Sequence, residues 1–425
     1  FKNSYFFADF GYTEGYKKNT LKKKAGEKSH FFSKFVKSFK GKNNSENILS
    51  FSIQDMSNDK YLKLYKIKSN LVDYNKDTLE STFNFTHESD QLFLGVNASV
   101  YETLKEDYND KYEFILPEIT VDRNLFSDNN LGNLNLQSNL KVHNFDTNKF
   151  TNFFVNDLNW EKDLNFKSGL TGQFLSNIKN INYEVRNVDI FKKSYTSELY
   201  GAFGYLSEVE LEKNFNNSKQ TLTPKVFFRY APGEMRKESN SGNRLDPNNV
   251  FSIDRLNNIN NFETGLSAAF GFDYKFKKDK KQLDFSLGQI LNDKENKKMA
   301  SETSLDEKLS DLVGSIKYEF SDKLNFNYNF AIDQNYSDLN YNELGTSINL
   351  NPLKINFNYL HEDKHIGDQE YFETNIALLK NDDGKLSFKT KRNLVTNSAE
   401  YYDLSYEYIN DCLRAGVVYR REFYN

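Results

Sequence analysis

The stretch of this chain with the most chemistry in it reads His361-Glu362-Asp363-Lys364-His365, the H-E-x-x-H spacing of zinc hydrolases. That chemistry needs a helix, so that both imidazoles share one face and the glutamate sits beside the metal-bound water. Here the motif directly follows the alternating run 353–360 and leads into Gly367-Asp368, a turn pair. On a strand or loop the two histidines have no fixed common geometry, so no metal site is expected. No glycine-rich phosphate loop, nucleophile elbow or Cys-x-x-Cys is present in the sequence. Carboxylates are plentiful but scattered, as on a solvated surface; Asp246 stands in a polar stretch where a divalent cation would find it. The sequence therefore reads as a protein that is not an enzyme, with no cofactor and no catalytic residue.

Two short basic runs, 21–24 (LKKK) and 277–281 (KKDKK), suit solvated turns better than a phosphate-binding patch. A net charge of −4 argues against a nucleic-acid partner. The single cysteine, Cys412, excludes a disulfide within the chain. It leaves open a free thiol in a turn or a bond to a cysteine elsewhere.

The elements that carry these residues alternate with period two. In Leu324 through Ile332, Leu, Phe, Tyr, Phe and Ile fall on one face and three Asn with one Ala on the other. Leu92, Leu94, Val96, Ala98 and Val100 alternate with Phe93, Gly95, Asn97, Ser99 and Tyr101. Leu353, Ile355, Phe357 and Tyr359 alternate with Lys354, Asn356 and Asn358, and Tyr402, Leu404, Tyr406 and Tyr408 with Asp403, Ser405 and Glu407. Helical spacing is not sustained over comparable lengths. Separators such as 41–46 (GKNNSE), 335–342 and 381–385 (NDDGK) carry turn chemistry. The count of runs predicts roughly 20–22 antiparallel strands, and longer polar loops near 176–196, 233–260 and 292–310.

A chain of 425 residues is too long for one ordinary compact domain. It holds 38 Phe and 27 Tyr at a mean hydropathy of −0.75. An AT-rich genome enriches the same residues, so composition alone does not decide the class. The paired faces do. Their apolar sides are nearly pure over the height of a lipid band, and their Asn-, Lys-, Asp- and Ser-rich sides carry too many polar groups to be buried without partners. A closed wall with lipid outside and water inside meets both demands and leaves no edge. The expected fold is all-β: a large antiparallel transmembrane β-barrel of roughly 20 or more strands over 1–425. No apolar stretch is long enough for a membrane helix. The chain opens on Phe1 rather than Met, and an upstream segment is expected.

The last run, 412–424, sets Leu413, Ala415, Val417, Tyr419 and Phe423, interrupted by Arg421, against Arg414, Gly416, Val418, Arg420 and Glu422. The first face belongs in lipid, with Arg421 near enough to the end to snorkel. Together with the Tyr-rich run before it (402–424, YDLSYEYINDCLRAGVVYRREFY), this segment resembles the C-terminus of the lipopolysaccharide-assembly family LptD, also called OstA. The stretches 4–11 (SYFFADFG), 222–236 (LTPKVFFRYAPGEMR) and 250–274, with FSIDRL followed by ETGLSAAFGFDY, resemble that family too.

The resemblance implies an outer-membrane translocon that assembles lipopolysaccharide into the outer leaflet. Its substrate would pass through the lumen and leave sideways through a gate beside the last strand, into outer-membrane lipid. It implies a plug lipoprotein like LptE and a periplasmic bridge of LptA-like jelly rolls, reached through an N-terminal jelly-roll domain not present in this chain. Of the gate, only the closing strand is expected here: Leu413, Arg414, Ala415, Gly416, Val417, Val418, Tyr419, Arg420 and Phe423. Cys412 matches the family's C-terminal cysteine, where many members have two, and the resemblance implies a disulfide to the N-terminal domain. Gly416 is the expected weak point of the seam. The alternative is a passive porin or a substrate-specific outer-membrane channel.

Overall fold

The computed structural model describes residues 3–15, 25–105, 108–167, 169–215, 217–238, 244–364, 367–380, 384–409 and 412–422. Among them 22 strands fall in one antiparallel sheet, and no helix is long and apolar enough to cross a membrane. The chain divides into two compact units, Phe1–Glu161 with Asn177–Tyr200, and Lys162–Ser176 with Gly201–Asn425.

The first unit holds β1 (Ser4–Gly15), β2 (Ala25–Lys40), β3 (Glu46–Met56), β4 (Thr78–Ser89), β5 (Leu92–Thr103), β6 (Tyr112–Asp128), β7 (Gly132–Phe145) and most of β8 (Phe150–Asn165). Each pairs with the next in chain order. Short turns at 41–45, 90–91, 129–131 and 146–149 contrast with longer connections at 57–77 and 104–111. Register shifts on both sides of β6 near Pro117, which has no N–H to give to a ladder. The connection 57–77 contains a short α-helix, α1 (Tyr61–Tyr65), and folds back on the sheet. Tyr61, Leu62 and Val72 pack there against Phe32, Met56, Leu79 and Leu104.

The 176–196 stretch is not a loop throughout. Strand β9 (Leu170–Arg186) runs through its first half. Its buried residues there are Asn177, Lys179, Ile181, Tyr183 and Val185, and the Tyr183 ring meets Phe153 at a tilt and Phe191 edge-on, at 5.5 and 5.4 Å. The Asn residues between them disguise a strand as a polar loop.

The second unit takes β10 (Thr196–Val209) from Gly201, then β11 (Leu211–Phe215), β12 (Ser218–Ala231), β13 (Gly265–Lys278), β14 (Lys281–Asn292), β15 (Leu312–Phe320) and β16 (Leu324–Ile332). It continues through β17 (Leu339–Leu350), β18 (Leu353–Glu362), β19 (Gln369–Lys380), β20 (Gly384–Asn393), β21 (Ser398–Ile409) and β22 (Arg414–Glu422). From β11 onward each strand pairs with its successor, while β10 also reaches β12. The expected turn at 335–342 is shorter than the sequence suggested, because β17 already begins at Leu339.

Register turns the period-two pattern into rows around the wall. Leu324, Ile348, Ile355, Ile376, Phe388, Leu404 and Tyr419 stand side by side across β16 to β22, an unbroken apolar row. One residue along each strand, on the opposite face, lies a polar row: Asn325, Ser347, Asn356, Asn375, Lys389, Asp403 and Arg420. Lipid on one side and water on the other is the arrangement that satisfies both. The closing strand starts two residues later than expected: Cys412 and Leu413 precede it, and Phe423 lies outside the described residues.

Candidate functional site

The polar face of the second unit is not polar throughout. Toward the long connections 232–264 and 293–311 its rows turn apolar. Phe227, Ala269 and Ile290 are neighbours across β12 to β14, and Val313, Ala331 and Tyr341 across β15 to β17. Onto this surface the two connections lay Met235, Leu245, Val250, Leu256, Met299 and Leu305, all buried. Small wall residues make the close approach possible. A Cβ on Gly288 would stand 3.0 Å from Val250 Cγ1, and one on Gly204 would sit 2.5 Å from the Phe227 ring. The polar loops expected at 233–260 and 292–310 are thus loops, but they are packed against the wall rather than solvated.

A buried ionic cluster sits within this packing. Arg229, two residues beyond Phe227 on the same face of β12, donates from Nε to the Ile253 carbonyl at 2.7 Å and from Nη2 to the Glu263 carbonyl at 2.6 Å. Arg255 donates from Nε to Glu263 Oε2 at 2.8 Å and from Nη2 to Ser267 Oγ at 2.9 Å. Arg229 and Arg255 are each 1% exposed and Glu263 3%. Burial pushes the Glu263 carboxyl up, but the charges of Arg255 and Arg229 outweigh it and hold the group below the usual carboxylate range. An ion pair so deep is costly unless its members are also hydrogen-bonded. Backbone carbonyls do this for Arg229 and Ser267 for Arg255, while the Nη1 atom of each arginine is buried without a hydrogen bond. Further out, Glu238 accepts from Asn258 at 2.9 Å and Asn261 at 3.0 Å, tying the two stems of the 232–264 connection together.

The second connection is tied down by Asp311, which accepts from Asn340 Nδ2 at 2.8 Å and faces Lys364 Nζ at 3.6 Å. Burial raises the Asp311 carboxyl above its ordinary value. Arg244 forms an ion pair with Glu362, and its guanidinium lies over the Tyr341 ring.

His361 and Glu362 are the last two residues of β18, on opposite faces. His361 Nε2 faces Asp363 at 3.2 Å, Glu362 is paired with Arg244, and His365 lies outside the described residues. Asp246 turns its Oδ1 to the backbone N–H groups of Asn248 and Asn249, at 2.7 and 3.0 Å, closing a turn. On the last strand, Arg414 Nε donates to Glu407 Oε1 at 2.6 Å and Arg420 Nη2 to Asp403 Oδ2 at 2.6 Å, so these arginines lie on the polar face. Val418 stands beside Ser405 on that face and Val417 beside Tyr406 on the other. Ala415 and Tyr419 share the face of Val417, while Gly416 shares that of Val418. A Cβ on Gly416 would meet only the Tyr406 carbonyl, at an ordinary 3.5 Å. Cys412 is exposed in the turn before β22.

The sequence reading did not pick out Arg229, Arg255, Glu263, Arg244 or the pairing of Glu362. A signal for the first two was present: an arginine inside VFFRY and another inside FSIDRL each interrupt an apolar run that folding must bury.

Paired apolar and polar rows in an antiparallel sheet, with polar loops folded onto the water-facing side, define the class: a transmembrane β-barrel transport protein. The family profile of LptD, described as LPS transport system D, matches residues 34–405. The chain belongs to the LptD family of the outer membrane, and its work is lipopolysaccharide transport. No curated protein matches the chain. Among solved structures it is similar to OccAB4 of Acinetobacter baumannii, at 10% identity and a TM-score of 0.26 over 99% of this chain and 96% of that one. It is similar also to a BenF-like porin of Pseudomonas fluorescens Pf-5, at 7% identity and a TM-score of 0.25 over 99% and 98%. For Pseudomonas aeruginosa OccK11 (OpdR) the identity is 7% and the TM-score 0.27, over 99% and 94%.

Proposed function

We propose that this chain is the barrel of a translocon that assembles lipopolysaccharide into the outer leaflet of the outer membrane. The sugar and phosphate head moves along the polar lumenal rows, and the acyl chains leave sideways beside the last strand. The observation that carries this reading is the LptD match over residues 34–405. Two features fit it. The polar row from Asn325 to Arg420 reaches the last strand without a break. On its near side that strand is firmly held, by nine register pairs to β21 and two ion pairs, so any seam that opens must lie along its other edge. There Gly416, with no side chain to pack, is the weak point. Arg414, Ala415, Val417, Val418, Tyr419 and Arg420 complete the gate's closing strand, and Leu413 leads into it. A plug lipoprotein like LptE occupies the lumen, and an N-terminal jelly-roll domain outside this chain joins the barrel to an LptA-like periplasmic bridge. Cys412 ties that domain to the barrel by a disulfide.

The test is photocrosslinking in living cells, with probes at Val418 and Val417 of the full-length protein. Adducts that react as lipopolysaccharide and vanish when its supply is cut are the expected result. If neither position captures it while the protein sits folded in the outer membrane, the lateral route fails and a passive channel takes its place.

A further inference from the structure

The arm 244–264 is held to the lumenal face of the second unit at two places that differ in kind. Its far half is packed in permanently. Val250 and Phe262 are fully buried, Leu256 is 1% exposed, and the pair of Arg255 and Glu263 closes within the arm itself. Freeing that half would bring apolar surface and two charges into the open together.

Its near half, residues 244–249, buries one apolar side chain, Leu245, and is otherwise held by polar contacts. Arg244 reaches across to Glu362 at the end of β18, 118 residues further along the chain. The guanidinium carbon lies 3.2 Å from the centre of the Tyr341 ring, and Tyr341 donates its hydroxyl hydrogen to Glu343 at 2.7 Å. Tyr341 and Glu362 are register neighbours on one face of β17 and β18, so ring and carboxylate form a single seat for the arginine. Asn249 Nδ2 donates to the Arg244 carbonyl at 2.8 Å, which couples the arginine backbone to the rest of the arm. The two charges differ in access to water: the Arg244 side chain is 30% exposed, that of Glu362 only 1%.

We propose that the Arg244–Glu362 pair is a clasp holding the near half of this arm shut across β17 and β18, and that its release opens a path for ions along the lumenal wall. The asymmetry of burial sets its resting state. Arg244 can exchange carboxylate for water, but release leaves the Glu362 charge desolvated without that cation, so the clasp is closed unless something compensates. The Tyr341 face adds a cation–π contact that is lost in the same step. The inference does not depend on which solute the barrel carries.

The experiment is single-channel recording in planar lipid bilayers, on full-length protein purified with whatever co-purifies. Glu362→Gln is expected to raise the fraction of time spent conducting severalfold over the unaltered protein. Because removing a buried carboxylate also threatens folding, a second variant carries Arg244→Cys and Glu362→Cys in a Cys412→Ser background. Without a linker it should conduct as Glu362→Gln does, and joined by a bis-maleimide spacer it should fall quiet. A folded Glu362→Gln as quiet as the unaltered protein overturns the clasp, as does a double-cysteine variant whose conductance ignores the spacer. Loss of lipopolysaccharide transport moves neither readout, so the two readings fail separately.

Discussion

At the scale of single residues, the second unit spends its charges in two ways. Arg414–Glu407 and Arg420–Asp403 are rim pairs with an arginine in water, of the sort worth a few tenths of a kcal/mol to about 1 kcal/mol. Glu263 stands between two buried guanidiniums, and its loss takes the ion-pair partner from Arg255 and leaves Arg229 the weaker attraction of Asp254. Glu263→Gln is expected to cost about 3–5 kcal/mol at neutral pH, read as a lower denaturant midpoint for loss of heat-resistant gel mobility. Because the folded-state carboxyl is held below the ordinary glutamate value, its contribution is complete above that value and is lost as pH falls through the lowered one. The gap between variant and unaltered protein should therefore stay level down to the ordinary carboxylate range and narrow only below it. A gap that shrinks on the alkaline side would mean that another group carries the effect. These residues were hard to find in the sequence for a physical reason. Arg229 and Glu263 stand 34 positions apart and Arg244 and Glu362 118 apart, and no local pattern reports a contact made across a sheet.

At the scale of elements, the alternation made most of the wall legible, because lipid and water impose opposite demands on adjacent residues. It failed where that contrast fades. In β9 the buried face mixes Asn177 and Lys179 with Ile181 and Tyr183, and a strand passed for a polar loop. The long connections were placed correctly, but their packing was not foreseen. Val250, Leu256 and Phe262 are too widely spaced to show a period and are gathered only by the wall beneath them. The two faces give a direct comparison in β18. Phe357→Arg, on the apolar face near mid-strand, is expected to cost about 2–4 kcal/mol, whereas Asn358→Arg next to it changes stability by about 0.5 kcal/mol or less. Equal costs, measured by denaturant titration of the protein folded in lipid vesicles, would show that the faces are assigned the wrong way round.

At the scale of the whole molecule, each unit covers part of its water-facing side with its own connections, around Tyr61 and Leu62 in the first and around Val250 and Leu256 in the second. A wall so furnished does its work by architecture. The covalent tie proposed at Cys412 belongs to this scale. The full-length protein should migrate faster on a non-reducing gel than on a reducing one, and Cys412→Ser should abolish the difference, whereas identical mobility would leave the thiol unlinked. Because Leu324 to Tyr419 form one row and Asn325 to Arg420 the next, a single residue added to or taken from any strand of β16 to β22 exchanges oil for water along the rest of it. Length changes in the wall are therefore tolerable in even numbers, or in odd ones that a bulge absorbs, as at Asn340 in β17 and Glu400 in β21. Connections such as 333–338 and 394–397 obey no such parity, and lineages of this barrel should record their odd insertions there.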